Sequence, residues 1–238
     1  HFNNISAPGS HEPFALSENG EQLYLSSAEN GVITGYRSVE DFGASATGVS
    51  FGRYYKSSTD NYNFVPMEYN TQGSANAYPK VGPIVINEIM YHPDWPSGSL
   101  YNNEEFEYIE LYNMSGVDVN LYDEEDNPWK FTDGIDYTFP ADANISAGGF
   151  LVVVKNPAAF SWRYGSVPAG VEVHGPYDGK LSNSGEKVEL SMPGDIDEFS
   201  VRYYIRIGRV GYSDGLHPED NPGGIDLWPV AADGEGEA

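Results

Sequence analysis

The chain has 238 residues, enough for one large domain or two small ones around a sizeable core. Its 12 basic residues against 36 acidic ones leave a formal net charge of −24, a balance that repels phosphate backbones and argues against nucleic acid or anionic membrane surfaces as partners. The lack of cysteine excludes disulfides, thiolate metal sites and cysteine nucleophiles, and no apolar run approaches the ~18–20 residues of a membrane span, so no membrane insertion is expected.

Helix signals are nearly absent, whereas 27 Gly, 16 Pro and 18 Tyr describe a turn-rich β chain. The predicted strands begin with Gln22–Ser26 and Thr34–Val39, followed by Ile84–Tyr91. In the next, Phe106–Asn113, Ile109 and Leu111 share one face while Tyr108, Glu110 and Tyr112 share the other, so one face is expected buried and one wet. Phe150–Val154 is apolar throughout and reads as a central strand covered on both faces. Pro157–Tyr164 follows Asn156, an N-cap residue type, and carries proline at the first helical position; a turn or two of helix is expected there. Glu186–Ser191 and Tyr203–Tyr212 complete the set.

One segment recurs. Leu16-Ser17-Glu18-Asn19-Gly20-Glu21-Gln22-Leu23-Tyr24-Leu25-Ser26 aligns with Leu181-Ser182-Asn183-Ser184-Gly185-Glu186-Lys187-Val188-Glu189-Leu190-Ser191, with six of eleven pairs identical. Each copy is followed by a second predicted strand. The second copy has strands from Ile84 onward before it and the first has no room for them. The expectation is therefore a tandem array: residues 1–78 as the back half of a first domain, 79–83 as a linker within the turn-rich stretch Asn70–Pro83, and 84–238 as a second domain lacking its last strand.

The motifs, taken together, resemble a known family. Pro83-Ile84-Val85-Ile86-Asn87-Glu88-Ile89-Met90-Tyr91 looks like the opening strand of a lamin tail domain, and Glu105-Phe106-Glu107-Tyr108-Ile109-Glu110-Leu111-Tyr112-Asn113 like its aromatic-Ile-Glu-Leu-x-Asn strand. Val119-Asn120-Leu121-Tyr122, Ile145-Ser146-Ala147-Gly148-Gly149-Phe150-Leu151-Val152-Val153 and the segment from Leu181 to Leu190 resemble later family motifs in the correct order. The resemblance spans Ile84 to about Tyr212 and implies an all-β, immunoglobulin-like β-sandwich. It also implies an accessory module of a large secreted or surface protein, with no shared catalytic residues to carry over.

The chemistry-bearing constellations are few. Asp123, Glu124, Glu125 and Asp126, with Asn127, and separately Glu219, Asp220 and Asp226, are oxygen-rich loops of the kind a hard cation such as calcium accepts; the plain reading of each is a solvated turn. Glu88, Glu107 and Glu110 are read as solvated carboxylates on an outer sheet face, although paired carboxylates are also the equipment of glycoside hydrolysis. Trp95, Trp129, Trp162 and Trp228 are candidate ligand-binding aromatics for stacking on sugars or partners. Asn4, Asn113 and Asn144 each open an Asn-x-Ser triplet, where a glycan could project from a turn. Hydrolase and phosphate-loop signatures are missing, so the chain is read as non-enzymatic, with calcium as its one candidate cofactor. The reading is a structural or adhesive module, extracellular or at the cell surface, whose partners are other copies of itself or neighbouring domains. A carbohydrate-binding accessory module that takes glycans is the alternative, and a hydrolase the third.

Overall fold

The computed structural model describes residues 16–57 and 60–213. These group into two compact units. The first contains the described residues up to Tyr54 together with Tyr62–Lys80 and Gly194–Tyr203. The second contains Tyr55–Asn61, Val81–Pro193 and the described residues from Tyr204 on.

In the first unit, β1 (Gly20–Glu29) and β2 (Val32–Gly43) form an antiparallel ribbon, with Glu29 opposite Val32 and Gly20 opposite Gly43. The tip is Asn30-Gly31, both at positive φ (51° and 78°), the sequence pair that favours a turn matching the twist of the flanking strands. β3 (Phe51–Lys56) and β4 (Asn61–Pro66) form a second hairpin, of which Tyr55, Lys56 and Asn61 are grouped with the second unit. Phe42, Phe51 and Phe64 pack with centroids 5.6–6.5 Å apart, and Met67 and Ala77 are buried. The stretch read as a linker folds back on this unit, since Pro79 bridges Met67 and the Lys80 amide donates to the Pro66 carbonyl.

The second unit carries β5 (Ile84–Met90), a 3-10 turn at Asn103–Phe106, β6 (Tyr108–Asn113), β7 (Val119–Asn120), β8 (Lys130–Asp133), β9 (Asn144–Ile145) and β10 (Phe150–Val154). The helix α1 (Pro157–Tyr164) and β11 (Glu172–His174) follow, then the long strands β12 (Gly185–Ile196) and β13 (Arg202–Ser213), whose distal ends belong to the first unit. One sheet runs β11-β10-β6-β5 and another β13-β12-β8; β7 and β9 form a short pair. β10 and β11 pair in parallel, whereas β10–β6, β5–β6, β12–β8 and β7–β9 pair antiparallel.

The core lies between the two larger sheets. Ile84, Ile109, Leu111, Leu151 and Val153 of the first meet Phe131, Val188, Leu190 and Tyr212 of the second, with Leu121, Trp129, Phe139, Ile145, Tyr177 and Leu181 filling between them. Each such side chain contributes about 1.5–3 kcal/mol through burial, and the result is a β-sandwich. The expected alternation in β6 is present: Ile109 and Leu111 are fully buried while Tyr108, Glu110 and Tyr112 are half-buried. β10 is covered on both faces as expected, because Val152 and Val154 pack under Phe160 of α1 while Leu151 and Val153 face the sandwich. The helix occupies the predicted residues, and the Asn156 side chain accepts from the Ala158 and Ala159 amides as its N-cap. One boundary differs: Phe106 is not strand but closes the 3-10 turn, whose capping box joins Asn102 and Glu105.

The recurring segments fold alike. Ser17 N donates to Glu21 Oε1 at 2.6 Å, and Ser182 N donates to Glu186 Oε1 at 2.8 Å. Gly20 N donates to Ser17 O and Gly185 N to Ser182 O, both at 3.3 Å, and the two glycines have φ of 95° and 114°. Each turn opens a long strand.

Candidate binding surface of the 91–107 loop

Between β5 and β6 the chain makes a long excursion that lies over α1. Its turn closes on itself: Ser99 Oγ and Trp95 Nε1 both donate to Tyr101 O at 2.9 Å. Arg163, near the end of α1, ties the loop down by donating to Asp94 O at 2.8 Å and by pairing with the Asp94 carboxylate. Trp162 stacks on Phe106 (5.8 Å between centroids, 25° between planes) and lies 6.2 Å from Tyr101. Two of the four candidate tryptophans are thus brought to one surface through Tyr101, with Trp95 61% and Trp162 49% exposed. Leu100 projects from the same loop, 92% exposed.

Trp129 does not join them. Its backbone pairs with Leu121 and Phe139, which holds its ring in the sandwich core at 6% exposure, so it serves packing rather than recognition. Trp228 lies outside the described residues.

The Asp123 loop is a turn closed by its own side chain. Asp123 Oδ1 accepts from Glu125 N at 2.9 Å and Asn127 N at 2.8 Å, and Asn127 Nδ2 donates to both carboxylate oxygens. Glu124, Glu125 and Asp126 point to solvent. Among the described residues no three His, Asp or Glu side chains converge as a metal site. Glu219, Asp220 and Asp226 lie outside the described residues.

The carboxylates of β5 and β6 divide. Glu88 accepts from Tyr108 OH at 2.5 Å and Glu110 from Asn87 Nδ2 at 2.7 Å, both on the partly wet face as expected. Glu107 departs from that reading: it is 1% exposed. Its Oε2 accepts from Tyr177 OH at 2.7 Å and from Leu181 N at 2.9 Å. Burial pushes its carboxyl up to about 7; the Leu181 amide and the Tyr177 hydroxyl oppose that rise, Glu104 adds to it and Lys155 opposes it. The same burial raises Tyr177, as does the neighbouring Glu107. A recess of about 260 Å³ opens beside Glu107, lined also by Pro93, Glu104, Lys180 and Leu181.

Asn113 also departs from its expected role. A glycan cannot project from it, because it is fully buried and its amide donates to Val117 O and Ile145 O at 2.8 Å and to Ser146 O at 3.1 Å. Asn144 is exposed, and Asn4 lies outside the described residues.

The family model of the lamin tail domain matches residues 78–204, the span that contains the β11-β10-β6-β5 sheet, β8, β12 and the start of β13, together with the buried Glu107 and Asn113. The chain belongs to the lamin tail domain family. No curated protein is similar enough to count as a relative. Lamin tail domains have an immunoglobulin-like fold, are typically non-catalytic and generally take part in protein–protein interaction. The match covers the resemblance from Ile84 as far as Tyr204, short of Tyr212 where the resemblance ends, and it leaves the β1–β2 ribbon outside the family model.

Proposed function

We propose that the chain is a non-catalytic structural or adhesive module of a large extracellular or cell-surface protein and that it mediates protein–protein assembly. The observation that carries this is the β1–β2 ribbon, which exposes Leu25 (69%), Val32 (69%), Ile33 (72%) and Tyr36 (64%) on a two-stranded sheet. Among the described residues no further strand joins this ribbon, and its free strand edges and exposed apolar side chains are both satisfied by a partner. The shared turn geometry at Ser17–Glu21 and Ser182–Glu186 supports reading residues 1–78 as the back half of a further lamin-tail-like copy. On that reading the natural partner is another copy or the neighbouring domain of a tandem array. Light scattering across a concentration series tests it. The mass is expected to rise with concentration and to stay monomeric in the Ile33→Ser/Tyr36→Ser double variant; a constant monomer mass in the parent chain overturns it.

A second reading is favoured by one observation, the Trp95–Tyr101–Trp162 surface. Flat exposed rings beside the Asp94–Arg163 pair suit a sugar face. A glycan array decides it: retention that disappears in Trp162→Ala supports a carbohydrate-binding accessory module, and no retention removes that reading.

A further inference from the structure

We infer that the recess beside Glu107 is a binding site for a primary ammonium group on an apolar stem, the chemistry of a lysine side chain. This goes beyond the assembly reading and does not depend on it. The site is held by the sandwich itself rather than by a surface loop. Glu107 leads into β6, and the Lys155 amide donates to its carbonyl at 3.0 Å. Tyr177 OH and Leu181 N, from the segment between β11 and β12, both hold Oε2. Oε1 accepts no hydrogen bond among the described residues, although the side chain is 1% exposed and lines the recess. Among the described residues the fully buried side-chain polar atom without a partner is His92 Nδ1, so Oε1 is not sealed off and the recess gives an outside donor access to it.

The geometry selects the ligand class. A guanidinium forks across two carboxylate oxygens, and here one of the two is already engaged by two donors. An ammonium is a compact point charge that suits a single oxygen. A hard metal ion wants six or more oxygen ligands, whereas Glu104 and Glu107 are the two carboxylates that line the recess. Pro93 and Leu181, both buried, offer apolar wall for a methylene stem. Glu104 stands at the rim as a second negative charge, with Lys180 3.9 Å from it. The chain's net charge of −24 draws cations towards the molecule.

Binding to this site is linked to a proton. The charged and titratable groups around Glu107 are Glu104 from the 3-10 turn, Lys155 after β10, and Tyr177 and Lys180 from the segment before β12; Tyr212 and Glu186 act on Tyr177. Glu107 titrates near neutrality, so an arriving ammonium takes the carboxylate form and releases the proton.

The test follows the Leu181 and Ser182 amide resonances of the full chain during titration with N-acetyl-lysine N-methylamide and, separately, with pentan-1-amine. Saturable shifts in the millimolar range are expected, with about tenfold tighter binding at pH 8 than at pH 6. Tighter binding of the lysine derivative marks a protein side chain as the source; equal binding marks a free amine. N-acetyl-norleucine N-methylamide is expected to leave both amides unmoved. Glu107→Gln is expected to weaken binding at least tenfold and to remove the pH dependence, with folding checked by its melt. Asn183→Trp, at the exposed mouth, should block binding without touching the bonds of Glu107. Unmoved resonances at saturating amine, equal binding by the norleucine control, or amine binding unchanged in either variant would overturn the assignment.

Discussion

Glu107 shows how one residue can couple stability to pH. Its carboxyl holds a proton more tightly in the folded chain, near pH 7, than the ordinary carboxyl value of 4.5. Between those values the native state binds more protons than the unfolded state, so stability falls as pH rises from about 4.5 to about 7 and stays lower above it. The shift corresponds to about 3 kcal/mol at most, and solvent reaching the recess lessens it. Denaturant unfolding of parent and Glu107→Gln at pH 5 and pH 8 should show a smaller fall in the variant. A parallel fall in both would mean that other carboxylates carry the effect. Both buried polar residues at the ends of β6 were legible in the sequence. Period-two alternation places Glu107 and Asn113 on the same face as Ile109 and Leu111. A reading guided by residue type leaves them in solvent, because charged and amide side chains are mostly exposed. What sequence does not reveal is the set of donors and acceptors that makes burial tolerable: Tyr177 lies 70 positions from Glu107, and Ile145 lies 32 positions from Asn113.

Among the elements, α1 was the most legible because its start is written locally. Asn156 accepts from two helix amides and its own amide donates to Glu105 Oε1 at 2.9 Å, so the helix is fastened to the 3-10 turn as well as capped. Asn156→Ala is expected to lower stability by about 1–2 kcal/mol in denaturant titrations and to loosen Trp162 against Phe106, which its fluorescence would report. β1 depends on one backbone conformation. A Cβ on Gly20 would lie 2.4 Å from the Phe42 carbonyl oxygen, at a φ of 95° that side chains rarely adopt. Gly20→Ala should therefore erase the cross-strand contacts of the β1–β2 ribbon in nuclear Overhauser spectra while the lamin tail domain keeps its own. The Asp123 turn is satisfied from within, and its geometry predicts identical melting with and without millimolar calcium. A rise of several degrees would assign a cation role to carboxylates of this chain.

For the whole molecule, the fold class was legible from alternation and turn chemistry, and the order of the family motifs located the sandwich. The division into units was not. Its second member includes Tyr55–Asn61 and its first includes Gly194–Tyr203, and such groupings depend on contacts that leave no local signature. Charge acts at this scale as well. Copies carrying −24 each repel one another, so association should strengthen as salt rises through about 0.1 M, where the screening length falls to about 10 Å. Sedimentation at low and high salt measures that; weakening with salt would assign the contact to ion pairs rather than to the ribbon's apolar side chains.

The ribbon has a further consequence, in time rather than in space. Its ladder closes across Asn30-Gly31, so it needs no distant partner to form, whereas Thr132 and Glu189, which join β8 to β12, are 57 positions apart. An isolated two-stranded ribbon is marginally stable in water. Its amides should therefore trade their hydrogens for deuterium through frequent local opening, while those of β6 and β10 wait for global unfolding. Any partner that covers the ribbon adds its binding free energy to that opening step. The exchange rate at Tyr24–Ser26 and Arg37–Val39, slowing as concentration rises, would then report what share of the copies is held by a neighbour.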